Sequence, residues 1–187
     1  MDIFEAIFAR QSIGKVRPHP VPRELIEKLL QAAAQAPNHY KVRPWRFTVL
    51  TGTARNRLGD LMAVSLLERI PECTEEAIKK ERARPLRAPV VIAVAVDRFP
   101  EIKVPEIEHI CAVAAAVENM LLSATALGLG AMWRTGSPAY DPNVKAFFGL
   151  EPDQHLIGFI YVGYPEVSDL PPKQRPGFED RTVWVEE

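Results

Sequence analysis

The stretch from Ala88 to Asp97 constrains the fold more than any other, because it is almost continuously apolar and rich in valine. A strand that carries no polar residue on either face is a central strand covered on both sides. The chain must therefore supply two covering layers, and the run from Glu106 to Leu127 supplies one of them. Its apolar residues go nearly all round a helix, as the central helix of a core requires. Gly128 and Gly130 stop that helix, and Ala131 to Arg134 enters a strand. Leu156 to Val162 is expected to be a further buried strand, and Phe47 to Leu50 another.

Shorter signals place the remaining elements. Asp2 and Glu5 have the spacing of a capping box, and Ile3, Phe4, Ile7 and Phe8 give an apolar helical face ending near Arg10. Pro22 suits a first helical turn; Leu25, Ile26, Leu29, Leu30 and Ala33 form the next face, closed by Pro37. Thr53 caps a helix carrying Leu58, Leu61, Met62, Leu66 and Leu67. The charged segment from Thr74 to Arg84 is expected to be an exposed helix or a lid. Asp141-Pro142 opens a short helix that Gly149 ends. Helices and strands do not alternate regularly, which favours an α+β architecture over a doubly wound sheet.

No internal repeat and no polar linker divides the chain, so residues 1–187 are expected to form one domain. After Tyr164 the character changes. Pro165, Pro171, Pro172 and Pro176 keep residues 164–187 extended, and Thr182-Val183-Trp184-Val185 is strand-like. The exposed cost of such a segment favours docking, with a second copy of the chain as its natural partner.

Composition excludes several classes of function. A formal net charge of -1 gives no global field to attract nucleic acid or an anionic membrane. No secretory signal is expected, since the first residues carry no cationic leader and no long apolar run, and the apolar stretches Ala88–Val96 and Ala112–Val117 fall short of a membrane span. Cys73 and Cys111 are far apart and suggest neither a redox nor a metal pair, so a cytoplasmic, reducing setting is expected. His19, His39, His109 and His155 show no metal-ligand spacing. Glu106-Ile107-Glu108-His109 contains one Glu-x-x-His pair where a di-iron bundle needs two, and reads as a polar helix start. Gly128-Leu129-Gly130-Ala131-Met132-Trp133 lacks the third glycine of a dinucleotide fingerprint and lies between helix and strand in the wrong order. Gly136-Ser137-Pro138 lacks the flanking glycines and helix entry of a nucleophile elbow.

Three stretches remain that carry chemistry. Ala36 to Phe47 follows a helix and leads into a strand. Its polar and cationic residues lie between Pro37 and Pro44, so His39, Lys41 and Arg43 are expected to face outward. Arg10-Gln11-Ser12 sets a guanidinium fork and a hydroxyl just past a helix end, a pairing suited to a phosphate dianion. Arg134-Thr135 repeats the cation–hydroxyl pairing at the end of a strand. Trp45 and Trp133 have a plainer reading as packing residues.

In their order and spacing these stretches, together with Arg87-Ala88-Pro89 and Trp133-Arg134-Thr135-Gly136, make the chain resemble the FMN-dependent nitroreductase family, in its small single-domain NAD(P)H nitroreductase-like branch. The resemblance implies a central mixed sheet flanked by helices, and a homodimer with FMN at the interface and C-terminal arms exchanged. It implies that Arg10, Gln11 and Ser12, joined by Trp133, Arg134 and Thr135, hold the ribityl phosphate end of FMN from one subunit, while Gln35 and His39 reach the same flavin from the other. It associates Ser123 to Gly128 with the nicotinamide nucleotide. Many relatives carry a lysine two residues after the serine, beside the flavin N1–C2 edge; this chain has Gly14 there, with Lys15, Lys41 or Arg43 as possible substitutes.

The implied activity is hydride transfer from NAD(P)H through FMN to a small electron-poor acceptor, such as a nitroaromatic or a quinone. The flavin does the chemistry, so no protein group is assigned a catalytic role. Alternatives on the same fold are reductive removal of a substituent, oxidative breakdown of the flavin, or a flavin-binding module without turnover.

Overall fold

The computed structural model describes residues 1–167, 171 and 173–186. Among these, β1 (Trp45–Leu50), β2 (Val90–Val96), β3 (Gly130–Arg134) and β4 (Leu156–Gly163) form one sheet in the order β1-β2-β4-β3. All three pairings are antiparallel, which corrects the expected mixed sheet. The connections are long enough to allow either direction, so their length did not decide it.

Alternation along β2 builds the two cores. Val90, Ile92, Val94 and Val96 face α2 (Arg23–Ala33) and α5 (Glu106–Ala126), meeting Leu29, Val113, Val117 and Met120. Val91, Ala93 and Ala95 face the other way, onto Leu58 and Met62 of α3 (Ala54–Arg69). Every residue of β2 is buried, as its composition demands. Asn119 on α5 donates to the Ala32 carbonyl at 3.1 Å and ties the two helices of the first layer together. At 21 residues, α5 is long and apolar enough to match a membrane span by length and composition, contrary to the expectation that no segment would be. Its apolar side instead packs against α2 and the sheet.

The capping box at α1 (Ile3–Ala9) forms as expected: the Glu5 N–H donates to Asp2 Oδ1 at 2.8 Å, and the Asp2 N–H to Glu5 Oε2 at 2.7 Å. The charged segment becomes α4 (Glu75–Arg82), capped by Thr74. It is docked on α3: Arg82 pairs with Asp60 at 2.9 Å, and its backbone crosses so close to Gly59 that no Cβ would fit between them. A short helix that the sequence did not betray, α6 (Ser137–Tyr140), follows β3 directly and supplies a helix entry at Ser137 where none was expected. Next comes α7 (Pro142–Phe147), whose cap Asp141 accepts from the Asn143 and Val144 N–H groups.

Beyond β4 the chain returns along the N-terminal segment. The Arg17 N–H donates to the Tyr164 carbonyl at 2.7 Å, and Val16 bridges to Pro165. The expected strand at Thr182–Val185 forms no strand pairing among the described residues; Val183, Trp184 and Val185 are 86%, 76% and 91% exposed. The expectation for Pro172, and for the arm at 168–170 and 187, lies outside the described residues.

Candidate functional site

The segment after α1 is laid along β3. The Ile13 N–H donates to the Ala131 carbonyl at 2.9 Å, and this brings Arg10-Gln11-Ser12 and Trp133-Arg134-Thr135 to the same edge of the sheet. A Cβ built on Gly14 would lie 3.3 Å from Met132 Sδ and 3.5 Å from Arg134 Nη2. Two segments more than a hundred residues apart therefore lie side by side.

Arg134 is the electrostatic focus of this edge. Its guanidinium carbon sits 5.3 Å from the centre of the Tyr161 ring, a cation–π arrangement. Its Nε is buried and has no hydrogen-bond partner among the described residues. Burial, and then the nearby Arg87 and Arg84, push its pKa down from the ordinary arginine value, while burial raises that of Tyr161 despite the cation above it. An arginine kept among other arginines with a donor unspent is poised for an anionic or carbonyl-rich ligand.

Trp133 is held differently. A register shift in the β2–β4 pairing leaves Ile157 out of the ladder, and its carbonyl accepts the Trp133 indole N–H at 3.2 Å. Gly158, at φ 145°, makes room: a Cβ there would lie 2.7 Å from Trp133 Nε1. The indole donor is thus spent inside the protein, and the ring packs against the first core. Thr135 and Ser12 are exposed.

Arg10 is mostly buried, with Nε 3.5 Å from Glu118 Oε1 on α5. A guanidinium has five donors, so this contact leaves most of them for a ligand. Here the tail contributes a residue that the sequence reading missed. Arg175 Nη2 donates to the Arg10 carbonyl at 2.6 Å, and Gln11 Nε2 to the Pro171 carbonyl at 3.4 Å. The signal was present, in two cations, Lys173 and Arg175, set among the prolines of an arm that must dock somewhere.

Gln35 and His39 lie elsewhere. Both are exposed, and His39 Nδ1 meets Glu108 Oε2, in the first turn of α5, at 2.5 Å. Arg10 is anchored at Glu118 of the same helix, so about 15 Å of helix axis separates the two anchor points. Within one chain the expected site falls into two halves. As expected, His39, Lys41 and Arg43 face outward. Ser123 to Gly128 forms the partly buried end of α5, where Thr125 and Gly128 line a groove of about 620 Å³ with Gln11, Ile13 and Tyr164. Among the described residues no group of three metal-ligating side chains occurs.

A three-layer α+β protein with a cationic edge built from the N-terminal segment and β3 belongs to a narrow class. Its sequence profile is that of the Nitroreductase family, matched over residues 7–164, and the chain belongs to that family of oxidoreductases. A protein of Escherichia coli (strain K12), provisionally named NAD(P)H nitroreductase YdjA, is 30% identical, with 90% of this chain and 91% of that one aligned. The crystal structure of a nitroreductase-like family protein from Bacillus cereus superimposes with a TM-score of 0.85 at 27% identity, covering 100% of this chain and 97% of that one. A provisionally named nitroreductase from Desulfovibrio desulfuricans, solved in complex with FMN, gives a TM-score of 0.76 at 25% identity, covering 100% and 98%.

Proposed function

We propose that the protein is an FMN-dependent oxidoreductase, transferring hydride from NAD(P)H by way of bound FMN to an electron-poor acceptor such as a nitroaromatic or a quinone, in alternating half-reactions at one site. The observation that carries this reading is Arg134, a half-buried cation with an unspent Nε beside the Arg10–Ser12 segment. Family membership and the FMN complex of the Desulfovibrio relative give the ligand its identity, and the name of the Escherichia coli relative gives the nicotinamide.

In this reading Arg10, Gln11 and Ser12 hold the phosphate end of FMN, with Arg175 adding a second cation there. Trp133 and Thr135 join them from the end of β3, Trp133 without its indole donor, already used by Ile157. Arg134 brings its guanidinium beside Gly14, the position at which relatives carry a lysine. FMN supplies the ring that accepts hydride on one side of the cycle and releases electrons on the other. The protein binds, orients and tunes, and no side chain of its own is needed as acid or base.

Gln35 and His39 complete the site from a second copy of the chain, which removes the separation found within one protomer. The exposed apolar face of α1, with Ile3, Phe4 and Phe8, and the exposed Phe178, Val183, Trp184 and Val185 are the surfaces such a homodimer buries. Residues 1–187 act as one domain, with 164–187 as an arm embracing the partner, in a cytoplasmic setting.

The test is an absorbance spectrum. Purified protein is expected to be yellow, and NADH or NADPH added without oxygen is expected to bleach it. Protein that stays colourless after incubation with FMN overturns the proposal.

A further inference from the structure

The loop that carries His39 is built to hold one imidazole in one orientation. Tyr40, Lys41 and Arg43 all adopt left-handed backbone conformations, at φ 50°, 55° and 53°, an uncommon choice for residues other than glycine. Asn38 clasps the loop: its Oδ1 accepts the Arg43 N–H at 2.8 Å, and its Nδ2 donates to the Ala36 carbonyl at 3.3 Å. Strain of this kind persists where the surroundings over-determine the shape, and it gathers at functional positions. The Tyr40 ring then lies parallel to His39, with centroids 4.3 Å apart and planes 6° off, covering one face of the imidazole.

What fixes the ring about its remaining axis is Glu108. An ionised carboxylate only accepts, so the 2.5 Å contact between Glu108 Oε2 and His39 Nδ1 requires the hydrogen to sit on Nδ1. Nε2 is then the ring nitrogen without the proton, and the imidazole lines a shallow hollow of about 430 Å³ together with Pro37, Asn38 and, from α5, Glu108 and Cys111. Without such a partner a neutral imidazole is free to carry its proton on either nitrogen.

We infer that Glu108 is a positioning residue for the flavin site: it fixes His39 with the proton on Nδ1, so that Nε2 is the nitrogen offered to the ligand across the dimer interface. This rests on the flavin reading above and adds to it a residue from outside the three sequence motifs. Glu108 itself touches no ligand; it acts through the imidazole. Its exposure, 42% of the side chain, means that its loss leaves the core intact.

The experiment uses the full chain loaded with FMN and labelled with ¹⁵N-histidine. Long-range ¹H–¹⁵N spectra report which nitrogen of His39 carries the proton, and flavin fluorescence gives the dissociation constant of FMN. Wild type is expected to show Nδ1 protonated. Glu108→Ala is expected to mix or reverse the tautomers and weaken FMN binding about tenfold, the loss typical of a broken charge-assisted hydrogen bond. Glu108→Gln keeps the size but can donate as well as accept, and is expected to relax the tautomer while the fold stays unchanged. Wild type with a neutral Nε2–H ring overturns the inference, as does a Glu108→Ala protein with unchanged FMN affinity. Wild type that binds no FMN counts against the flavin reading instead, and the imidazole signals then decide this one alone.

Discussion

Gly14 and Arg134 share one space: the terminal nitrogen of the arginine stands 3.5 Å from where the first carbon of a side chain at position 14 would be. Gly14 is not in a left-handed conformation, so its backbone does not demand glycine. The guanidinium from β3 stands beside the space that a side chain at position 14 would enter. Lys15, Lys41 and Arg43, the substitutes suggested by sequence, are exposed side chains.

This relationship predicts a compensating pair. Arg134→Ala is expected to weaken FMN binding roughly tenfold, in line with the ~1.5–3 kcal/mol of a hydrogen bond to a charged group. Gly14→Lys in the native background places two cations together and also weakens binding. The double variant is expected to recover most of the loss, a non-additivity that dissociation constants from fluorescence quenching will reveal.

At the phosphate end, Arg10→Ala is expected to raise the FMN dissociation constant by about ten- to a hundredfold, since a charge-assisted contact disappears. Flavin content after gel filtration measures it, and full retention contradicts the role given to Arg10.

Gly158 offers a test that reaches the site only through Trp133. Gly158→Ala drives a Cβ toward the Trp133 indole and puts alanine at φ 145°. Overpacking and strain together are expected to cost about 2–4 kcal/mol. Thermal unfolding should show a clearly lower midpoint, and flavin should be lost as β3 shifts.

Much of the architecture was legible because it rests on local chemistry. The valine run of β2, the all-round apolar α5 and the Asp2–Glu5 box each contain their own reason for forming. What escaped depends on contacts between distant segments. Strand direction was one such case, since long connections serve either sense. Another was α4, which the charge pattern left open as a lid and which Gly59 lets dock on α3. Glu108 looked like part of a polar helix start, and only the fold puts it on His39. Arg175 was hidden in a tail whose docking partner the sequence does not state.

The docked α4 has its own consequence. Gly59→Ala forces the Arg82 backbone away and is expected to destabilise by about 1–3 kcal/mol, lowering the melting midpoint by several degrees. Circular dichroism during heating checks this.

The arm predicts an effect on assembly. Trp184, 76% exposed in the single chain, is expected to be buried between copies, so Trp184→Asp should shift the protein from dimer to monomer. Light scattering coupled to gel filtration reads the mass directly.

A site shared between two copies has a signature that no single-chain site can give. Arg10→Ala and His39→Ala proteins are each expected to lose flavin as homodimers. Co-expressed with different affinity tags and purified as the mixed dimer, they form one doubly damaged site and one site with Arg10 and His39 both native. The measurement is FMN bound per mixed dimer, and the expected value is about half that of wild type, by simple counting of intact sites. A mixed dimer as empty as its parents, or a wild-type protein that holds FMN as a monomer, contradicts the account.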